Sequence, residues 1–280
     1  MTCVVTRDGY MALDDDKFNV MSITKGVVGL VFLTTHETRG YLDRYIFPNI
    51  KITIEEALCH QTGLENDQTF GEQYDEYMRL SEKNTMYKYA MNHFLYDYNK
   101  RFRGTTYEYN NIVWRILVQR FAEYANKYMR DAIRSIPGLS DANFDTDAGG
   151  FIHGLNGMMM SCKMATDYGK WAAGVLKGHR SILLKYPRIK NHWTGALAGD
   201  GFEIHPFFGW FVVASERNPD EPVAAISIGF MSQFICVSLI NDVTPGVQLR
   251  HPYYEDFGGR DVHRYAEMWI SNLLSGCDRC

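Results

Sequence analysis

The feature that most constrains this chain is a nearly all-apolar segment that follows Ser22. Residues 27–32 read Val-Val-Gly-Leu-Val-Phe and contain no polar side chain. A helix at a protein surface is apolar along one stripe, whereas a helix that is apolar all round is buried. Gly26 and Gly29 would let other parts of the chain approach this helix closely. The sequence therefore predicts a helix that begins at Ser22 and runs through the core.

Strand patterns lie towards both ends of the chain, with helical patterns mostly between them. Residues 3–13 are typical of two short strands joined by a turn. Three further segments are rich in β-branched and aromatic residues: 207–214, 223–229 and 234–240. Helical patterns cover five segments: 52–58, 75–94, 111–133, 164–175 and 260–274. We expect an α+β fold, in which an antiparallel sheet built from both chain ends is flanked by helices and carries an inserted helical domain.

This arrangement divides the chain into two predicted domains. Residues 1–35 and 172–280 would form an α/β sheet domain, and residues 36–171 a mostly helical domain. The 280 residues suffice for two moderate domains with a buried core. An active site would lie in the cleft between the two domains.

Composition and charge argue against several classes of function. The formal net charge is -4 and there is no long basic stripe, so we expect no nucleic-acid partner. No apolar run reaches the roughly 18 residues that a membrane-spanning helix needs, so no membrane span is expected. The first ten residues lack the basic and apolar regions of a secretion signal, which favours a cytoplasmic location.

The cysteines and histidines indicate neither a metal nor a cofactor. The six cysteines are widely scattered, except for Cys277 and Cys280, which form a single Cys-x-x-Cys pair at one end. A second such pair is missing, and no histidine spacing suggests zinc, so we expect no metal site. Reduced thiols are the expectation for this pattern in a cytoplasmic protein.

A serine and a lysine stand three residues apart at the start of the buried helix. This spacing puts Ser22 and Lys25 on one helix face, and a serine nucleophile needs an adjacent base. The helix N-terminus and burial both disfavour the ammonium, so both favour a neutral lysine base. A serine three residues before a lysine occurs about once by chance in a chain of this length. The pair therefore gains its weight from the apolar helix around it.

A tyrosine and an asparagine form a second candidate pair at the start of another predicted helix. Tyr109 follows a turn at 104–106, and Asn111 comes two residues later. A tyrosine near an ammonium can act as general base or proton shuttle, and an asparagine amide can hold the lysine or a substrate carbonyl. The same pattern recurs at Tyr124 and Asn126 inside an amphipathic helix, where we expect Tyr124 to be a packing residue.

Four segments together resemble the class C β-lactamase-like family of penicillin-recognising serine hydrolases, which includes esterase, D-peptidase and 6-aminohexanoate-dimer-hydrolase-like members. Residues 21–30 resemble the family's nucleophile helix, and 52–64 resemble its ITIxxLLxHTSGL segment. Residues 104–111 resemble PGxxFxYSN, and 157–171 are similar to GGLxSTAxDLAxF. The segments occur in the family's order. The resemblance implies a β-lactamase/transpeptidase-like fold in which Ser22 is the nucleophile.

The same resemblance implies roles for the neighbouring residues. Lys25 and Tyr109 would share the proton transfers, and Asn111 would position the lysine or the substrate carbonyl. The backbone N–H groups of Ser22 and Phe230 would form an oxyanion hole.

A third family motif, Lys-Thr-Gly or His-x-Gly on a strand at the sheet edge, is matched only in part. Its best counterpart is Ser227-Ile-Gly229, inside a segment (225–237) that resembles xAxGxxGQxIxV of esterase-like members. We expect Ser227 and Gly229 to lie beside the substrate. The missing lysine removes the cation that would bind a penicillin carboxylate, which favours ester or amide substrates.

The expected function is therefore a serine hydrolase that forms a covalent acyl-enzyme with a small ester or amide and uses no cofactor. Two alternatives stay open: a D-amino-acid peptidase or amide hydrolase acting on peptides, and a non-catalytic binding or assembly protein on the same scaffold. Relatives carry more chain before the first strand, whereas only 21 residues precede Ser22. One sheet face would then be covered by the helix at 260–274, by a second copy in a homo-oligomer, or by a partner protein.

Overall fold

The computed structural model describes residues 2–6, 9–11, 16–47, 50–63, 107–146, 157–189, 201–229 and 233–250. The helices predicted at 75–94 and 260–274 lie outside these ranges. The strands are β1 Thr2–Thr6, β2 Gly9–Met11, β3 Phe18–Asn19, β4 Tyr45–Phe47, β5 Ile50–Thr53, β6 Asn143–Phe144, β7 Met158–Met160, β8 Phe202–Phe207, β9 Trp210–Ser215, β10 Asn218–Gly229, β11 Gln233–Ser238 and β12 Gly246–Arg250. The helices are α1 Ile23–Thr34, α2 His36–Arg39, α3 Ile54–Leu58, α4 Asn111–Ala125, α5 Met129–Arg134 and α6 Cys162–Gly178, followed by a 3₁₀ turn at Arg180–Ile182.

Seven antiparallel strands form the main sheet, in the order β2-β1-β12-β11-β10-β9-β8. Strand β1 pairs with β12, with Val4 opposite Gln248, so the two ends of the described chain are neighbours in one sheet. Two small sheets, β3-β7-β6 and β4-β5, lie outside it. The predicted α+β class and the antiparallel sheet assembled from both chain ends are confirmed.

Helix α1 passes through the interior, as its apolar sequence predicts. Every residue from Ile23 to Leu33 is buried. On one side, Phe32 meets Phe121 of α4 edge to face, with ring centroids 5.4 Å apart. On the other side α1 packs against the sheet, where a Cβ on Gly26 would lie 2.5 Å from Ser227 Oγ of β10. The helix therefore fills the space between the sheet and the helices that follow it.

The hairpin turn between β8 and β9 makes the closest contact with α1. Phe208 and Gly209 both have positive φ, at 49° and 77°, in a two-residue connection between Phe207 and Trp210. A Cβ on Gly29 would overlap the Phe208 carbonyl oxygen, and a Cβ on Gly209 would lie 2.6 Å from the Lys25 carbonyl carbon. The two glycines thus allow backbone-to-backbone contact between the turn and the helix.

The structure differs from the sequence expectations at several element boundaries. The helix predicted over 111–133 is two helices, α4 and α5, because the chain turns at Asn126, whose φ is 51°. The strand predicted over 207–214 contains the hairpin turn at Phe208. Strand β8 was not among the predicted strands; it contains Pro206 and is an edge strand, where proline is tolerated.

Helix α6 packs on the same side of the sheet as α1. A Cβ on Gly169 would lie 2.8 Å from Pro245, which precedes β12. Ser161 caps the helix by accepting a hydrogen bond from the Met164 N–H at 3.3 Å. The predicted domain boundary between residues 171 and 172 falls inside α6, and the division into two domains stays a prediction.

Three further findings concern the cysteines, membrane-spanning helices and metal sites. Cys162 is disulfide-bonded, so the expectation of reduced thiols is wrong there, whereas Cys59 and Cys236 are free and buried. No helix in the described ranges is both long and apolar enough to cross a membrane. In the same ranges, no cluster of three or more histidine, cysteine, aspartate or glutamate residues could hold a metal ion.

We predict that Gly29→Ala lowers the free energy of unfolding by at least about 2 kcal/mol, because overpacking against the Phe208 carbonyl outweighs the gain in helix propensity. Gly174→Ala in α6 is the matched control, since its Cβ would meet nothing within 4 Å. That variant should gain about 0.5–1 kcal/mol. Urea unfolding of both variants checks the contrast, and equal stabilities would contradict the close contact at Gly29.

Candidate active site

Ser22 lies at the first turn of α1, where the preceding chain is held in a fixed bend. Met21 has a φ of 49°, a left-handed conformation that non-glycine residues seldom adopt. The Met21 N–H donates to Asn19 Oδ1 at 3.0 Å, and the Val20 N–H donates to the Met158 carbonyl at 3.0 Å. These bonds anchor the bend and place the half-buried Ser22 side chain at the helix end.

Lys25 is buried one turn after Ser22 and contacts its hydroxyl. The Lys25 Nζ donates to Ser22 Oγ at 3.0 Å, and the side chain is only 2% exposed. Burial lowers the pKa of Lys25 well below its ordinary value of 10.5. The neutral amine, which can take a proton from a neighbouring hydroxyl, is thereby favoured.

Tyr109 contacts the same hydroxyl from the segment that precedes α4. Its Oη lies 2.5 Å from Ser22 Oγ, and either oxygen can be the donor. Lys25 Nζ lies 4.9 Å from the centroid of the Tyr109 ring. The structure thus brings three residues that are distant in sequence into one hydrogen-bonded group. Tyr124, by contrast, stacks on Tyr41, with centroids 4.5 Å apart and rings 7° from parallel.

His60 supports the Tyr109 ring, a role that the sequence did not suggest. The two rings stack with centroids 4.8 Å apart and planes 20° from parallel. The backbone N–H of Asn110 faces His60 Nδ1 at 3.1 Å, and the indole N–H of Trp114 faces Nε2 at 2.9 Å. An imidazolium has no accepting nitrogen and a neutral imidazole has one, so a hydrogen bond from either donor favours the neutral ring. Burial lowers the pKa of His60 in the same sense, and Lys25 would lower it further whenever its amine is protonated.

His60 is therefore a neutral packing partner of Tyr109 rather than a base for Ser22. Its backbone ends helix α3, with a φ of 54° and an N–H that donates to the Ala57 carbonyl at 3.1 Å. The available signal was the resemblance to ITIxxLLxHTSGL, in which the histidine matches His60.

The two asparagines after Tyr109 differ in their contacts. Asn110 Oδ1 accepts from the Val113 N–H at 3.2 Å and so caps α4. Asn111, which the sequence predicts as a positioning residue, is the first residue of α4. Its buried Oδ1 has no hydrogen-bond partner within the part of the chain that the structure describes. The role of Asn111 stays a prediction.

The partly matched third motif lies along the end of β10. Ser227 is fully buried against Gly26 of α1 and does not line the cleft. Side chains alternate along a strand, and Ile228 takes the position in the cleft wall that we expected for Ser227. Gly229 is close to the nucleophile segment, because a Cβ there would lie 2.6 Å from the Val20 carbonyl oxygen. Phe230 lies outside the described residues.

These residues surround a cleft whose walls are largely aromatic and apolar. The cleft contains about 340 Å³ of space, part of it open to solvent. Its lining comprises Ser22, Lys25, Leu58, His60, Tyr107, Tyr109, Pro206, Gly209, Trp210, Phe211 and Ile228. A serine hydroxyl in contact with an amine and a phenol, in such a cleft, has the groups that attack on a carbonyl would require.

We predict that Lys25→Met makes the protein more stable at about pH 6, by at least about 1 kcal/mol, because the buried amine no longer has to lose its proton on folding. Between the lowered pKa of Lys25 and 10.5, the unfolded chain binds a proton that the folded chain lacks, so wild-type stability rises with pH. The advantage of the variant should therefore shrink towards pH 10. Urea unfolding of both proteins between about pH 6 and pH 10 measures the difference in their free energies of unfolding. A difference that does not change with pH would contradict the lowered pKa of Lys25.

Comparison with solved structures identifies the fold. A beta-lactamase from Mycobacterium bovis has a TM-score of 0.58 and 17% identity, over 98% of this chain and 92% of that chain. An octameric penicillin-binding protein homologue from Pyrococcus abyssi has a TM-score of 0.65 and 14% identity, over 98% and 73%. Simvastatin synthase (LovD) from Aspergillus terreus has a TM-score of 0.60 and 10% identity, over 98% and 93%.

No protein-family model matches the chain, and no curated protein matches its sequence. At the identities of the structural neighbours, the likeness shows the fold alone. The fold implied by the sequence resemblance is confirmed: this chain has the β-lactamase/transpeptidase-like fold.

Proposed function

We propose that the protein is a serine hydrolase. A small ester or amide acylates Ser22, and water then hydrolyses this acyl-enzyme. The observation that carries this proposal is the double contact of Ser22 Oγ, with Lys25 Nζ at 3.0 Å and Tyr109 Oη at 2.5 Å. A serine that only caps or packs a helix has no need of a buried amine, because burying a lysine costs free energy. The names of the neighbours, a beta-lactamase and a synthase, are compatible with acyl transfer.

Acylation would begin with attack of Ser22 Oγ on the substrate carbonyl carbon. As the bond forms, the hydroxyl proton moves to Lys25, or through Tyr109. The tetrahedral intermediate then collapses, and the leaving alcohol or amine takes this proton. In the second half of the reaction, water gives up a proton to the same pair while it attacks the acyl carbon, and Ser22 is regenerated.

The oxyanion of the intermediate would be held by backbone N–H groups at the helix end. Within the described ranges, the Ser22 N–H makes no hydrogen bond, so it is available as one donor. The Phe230 N–H is the proposed second donor, and its neighbour Gly229 lies against Val20, two residues before Ser22. Two such donors stabilise the charge that develops on the carbonyl oxygen.

The cleft favours an uncharged substrate over a penicillin-like carboxylate. Among its described lining residues Lys25 is the one lysine or arginine, and it is buried, bonded to Ser22 and favoured as the neutral amine. In the cleft wall, Ile228 presents an alkyl group, which cannot bind a carboxylate. Ser227, whose hydroxyl could donate to one, is buried beneath α1. Apolar walls bind alkyl or aromatic groups of an ester or amide without a charge partner.

We predict that wild-type protein reacts covalently with a fluorophosphonate probe and that Ser22→Ala does not. Lys25→Met and Tyr109→Phe should label at least about 100-fold more slowly, because each removes part of the proton transfer. Tyr124→Phe is the matched control, since this ring stacks on Tyr41, and it should label at the wild-type rate. Undiminished labelling of Ser22→Ala would remove Ser22 from the mechanism.

We also predict turnover of p-nitrophenyl butyrate and poor turnover of the cephalosporin nitrocefin, because the cleft lacks a free cation for the cephalosporin carboxylate among its described walls. Steady-state kcat/KM values for the two substrates on one enzyme preparation test this. Efficient nitrocefin hydrolysis without esterase activity would show that the substrate class is wrong while leaving the nucleophile assignment intact.

A further inference from the structure

We propose that Tyr107 is a substrate-contacting residue, whose hydroxyl donates a hydrogen bond to an uncharged oxygen that the substrate carries beside its scissile carbonyl, such as an ether, hydroxyl or second carbonyl oxygen. This inference rests on the proposed hydrolase function and names a feature of its substrate. The resemblance of 104–111 to PGxxFxYSN matches Tyr107 to a phenylalanine, which has no hydroxyl, and the proton transfers described above do not use Tyr107.

The position of Tyr107 puts it in the wall of the same cleft as the nucleophile. It stands two residues before Tyr109 and lines the cleft together with Ser22 and Lys25. Its ring is wedged between His60, with centroids 5.2 Å apart, and Phe211, with centroids 6.0 Å apart. The side chain is 7% exposed, so its orientation is fixed by packing.

The hydroxyl of Tyr107 has a hydrogen bond left to make. Its oxygen is buried and has no hydrogen-bond partner within the described ranges. A buried hydroxyl without a partner is unfavourable, and nearly all such groups in folded proteins find one. A ligand oxygen that enters the cleft supplies the missing acceptor, whereas an alkyl group at the same place does not.

The hydroxyl acts as a neutral donor rather than as a second base. Burial raises the pKa of Tyr107 well above its ordinary value, and Tyr109 and Glu108 raise it further. A protonated phenol donates one hydrogen bond. A site that holds such a donor discriminates against a substrate analogue whose matching oxygen is replaced by carbon, because the donor then stays unpaired.

Tyr107→Phe tests the inference, because it keeps the ring and deletes only the hydroxyl. The substrates are matched pairs in which one methylene is replaced by an ether oxygen. On the acyl side, p-nitrophenyl pentanoate is compared with its 2-ethoxyacetate and 3-methoxypropanoate analogues. On the alcohol side, pentyl acetate is compared with 2-ethoxyethyl acetate. Comparing the ratio of kcat/KM within each pair between Tyr107→Phe and the wild type cancels the intrinsic reactivity of the esters.

We expect Tyr107→Phe to lower the ether-to-alkyl ratio of kcat/KM by about three- to tenfold in at least one pair. Tyr124→Phe should leave every ratio at the wild-type value. Urea unfolding should show Tyr107→Phe to be at least as stable as the wild type, since no internal hydrogen bond is lost.

Three results would overturn the inference, and they have different meanings. Unchanged ratios in all pairs, with normal ester turnover, would remove Tyr107 from substrate contact and leave the hydrolase proposal standing. A clear loss of stability in Tyr107→Phe would show that the hydroxyl already has a partner in the folded chain. If the wild type neither labels with the fluorophosphonate probe nor hydrolyses any of these esters, the proposed function itself fails, and this inference fails with it.

Discussion

The contact on which the rest of the site depends is the approach of the Phe208–Gly209 turn to the backbone of α1. A side chain at Gly29 or Gly209 would prevent it, since a Cβ at either position would collide with backbone atoms of the other element. The same turn also holds α3, because the Gly209 N–H donates to the Leu58 carbonyl at 3.0 Å. One turn therefore fixes the sheet, the nucleophile helix and the helix that leads to His60. His60 in turn supports Tyr109, so the distance between Tyr109 and Ser22 depends on this packing.

The burial of Lys25 lowers the stability of the fold, and the proposed proton transfer from Ser22 gives a reason for it. An apolar side chain of similar size would be favourable at the same position, because it would lose no hydration and no proton. The protein keeps an amine there, with its Nζ 3.0 Å from Ser22 Oγ. Two further unfavourable features lie in the same small region. The backbone of Met21, next to Ser22, is left-handed, and the ring of His60, against Tyr109, is buried and neutral. Costs of this kind concentrate at functional sites.

The sequence predicted the parts of this structure that local patterns determine. The apolar run after Ser22 predicts a buried helix, and strand patterns at both ends predict a sheet built from both ends. Boundaries were missed where a rare backbone conformation intervenes, as at Phe208 and Asn126, because a phenylalanine in a left-handed turn looks like part of a strand. Ser227 does not lie in the cleft wall where we expected it, because which face of β10 borders the cleft depends on the packing of β10 against α1. His60 and Tyr107 were missed for a related reason, since their contacts come from residues far away in sequence.

The central claim, that Ser22 carries the acyl group during turnover, is tested most directly by mass spectrometry of the acid-quenched enzyme. Protein mixed with excess p-nitrophenyl acetate is quenched within the first turnovers, digested and mapped. The account predicts a single acetyl group on Ser22, and its amount should fall to background once the substrate is exhausted. Acetyl groups on a different residue, or continued turnover with no acylated peptide at any time, would contradict it.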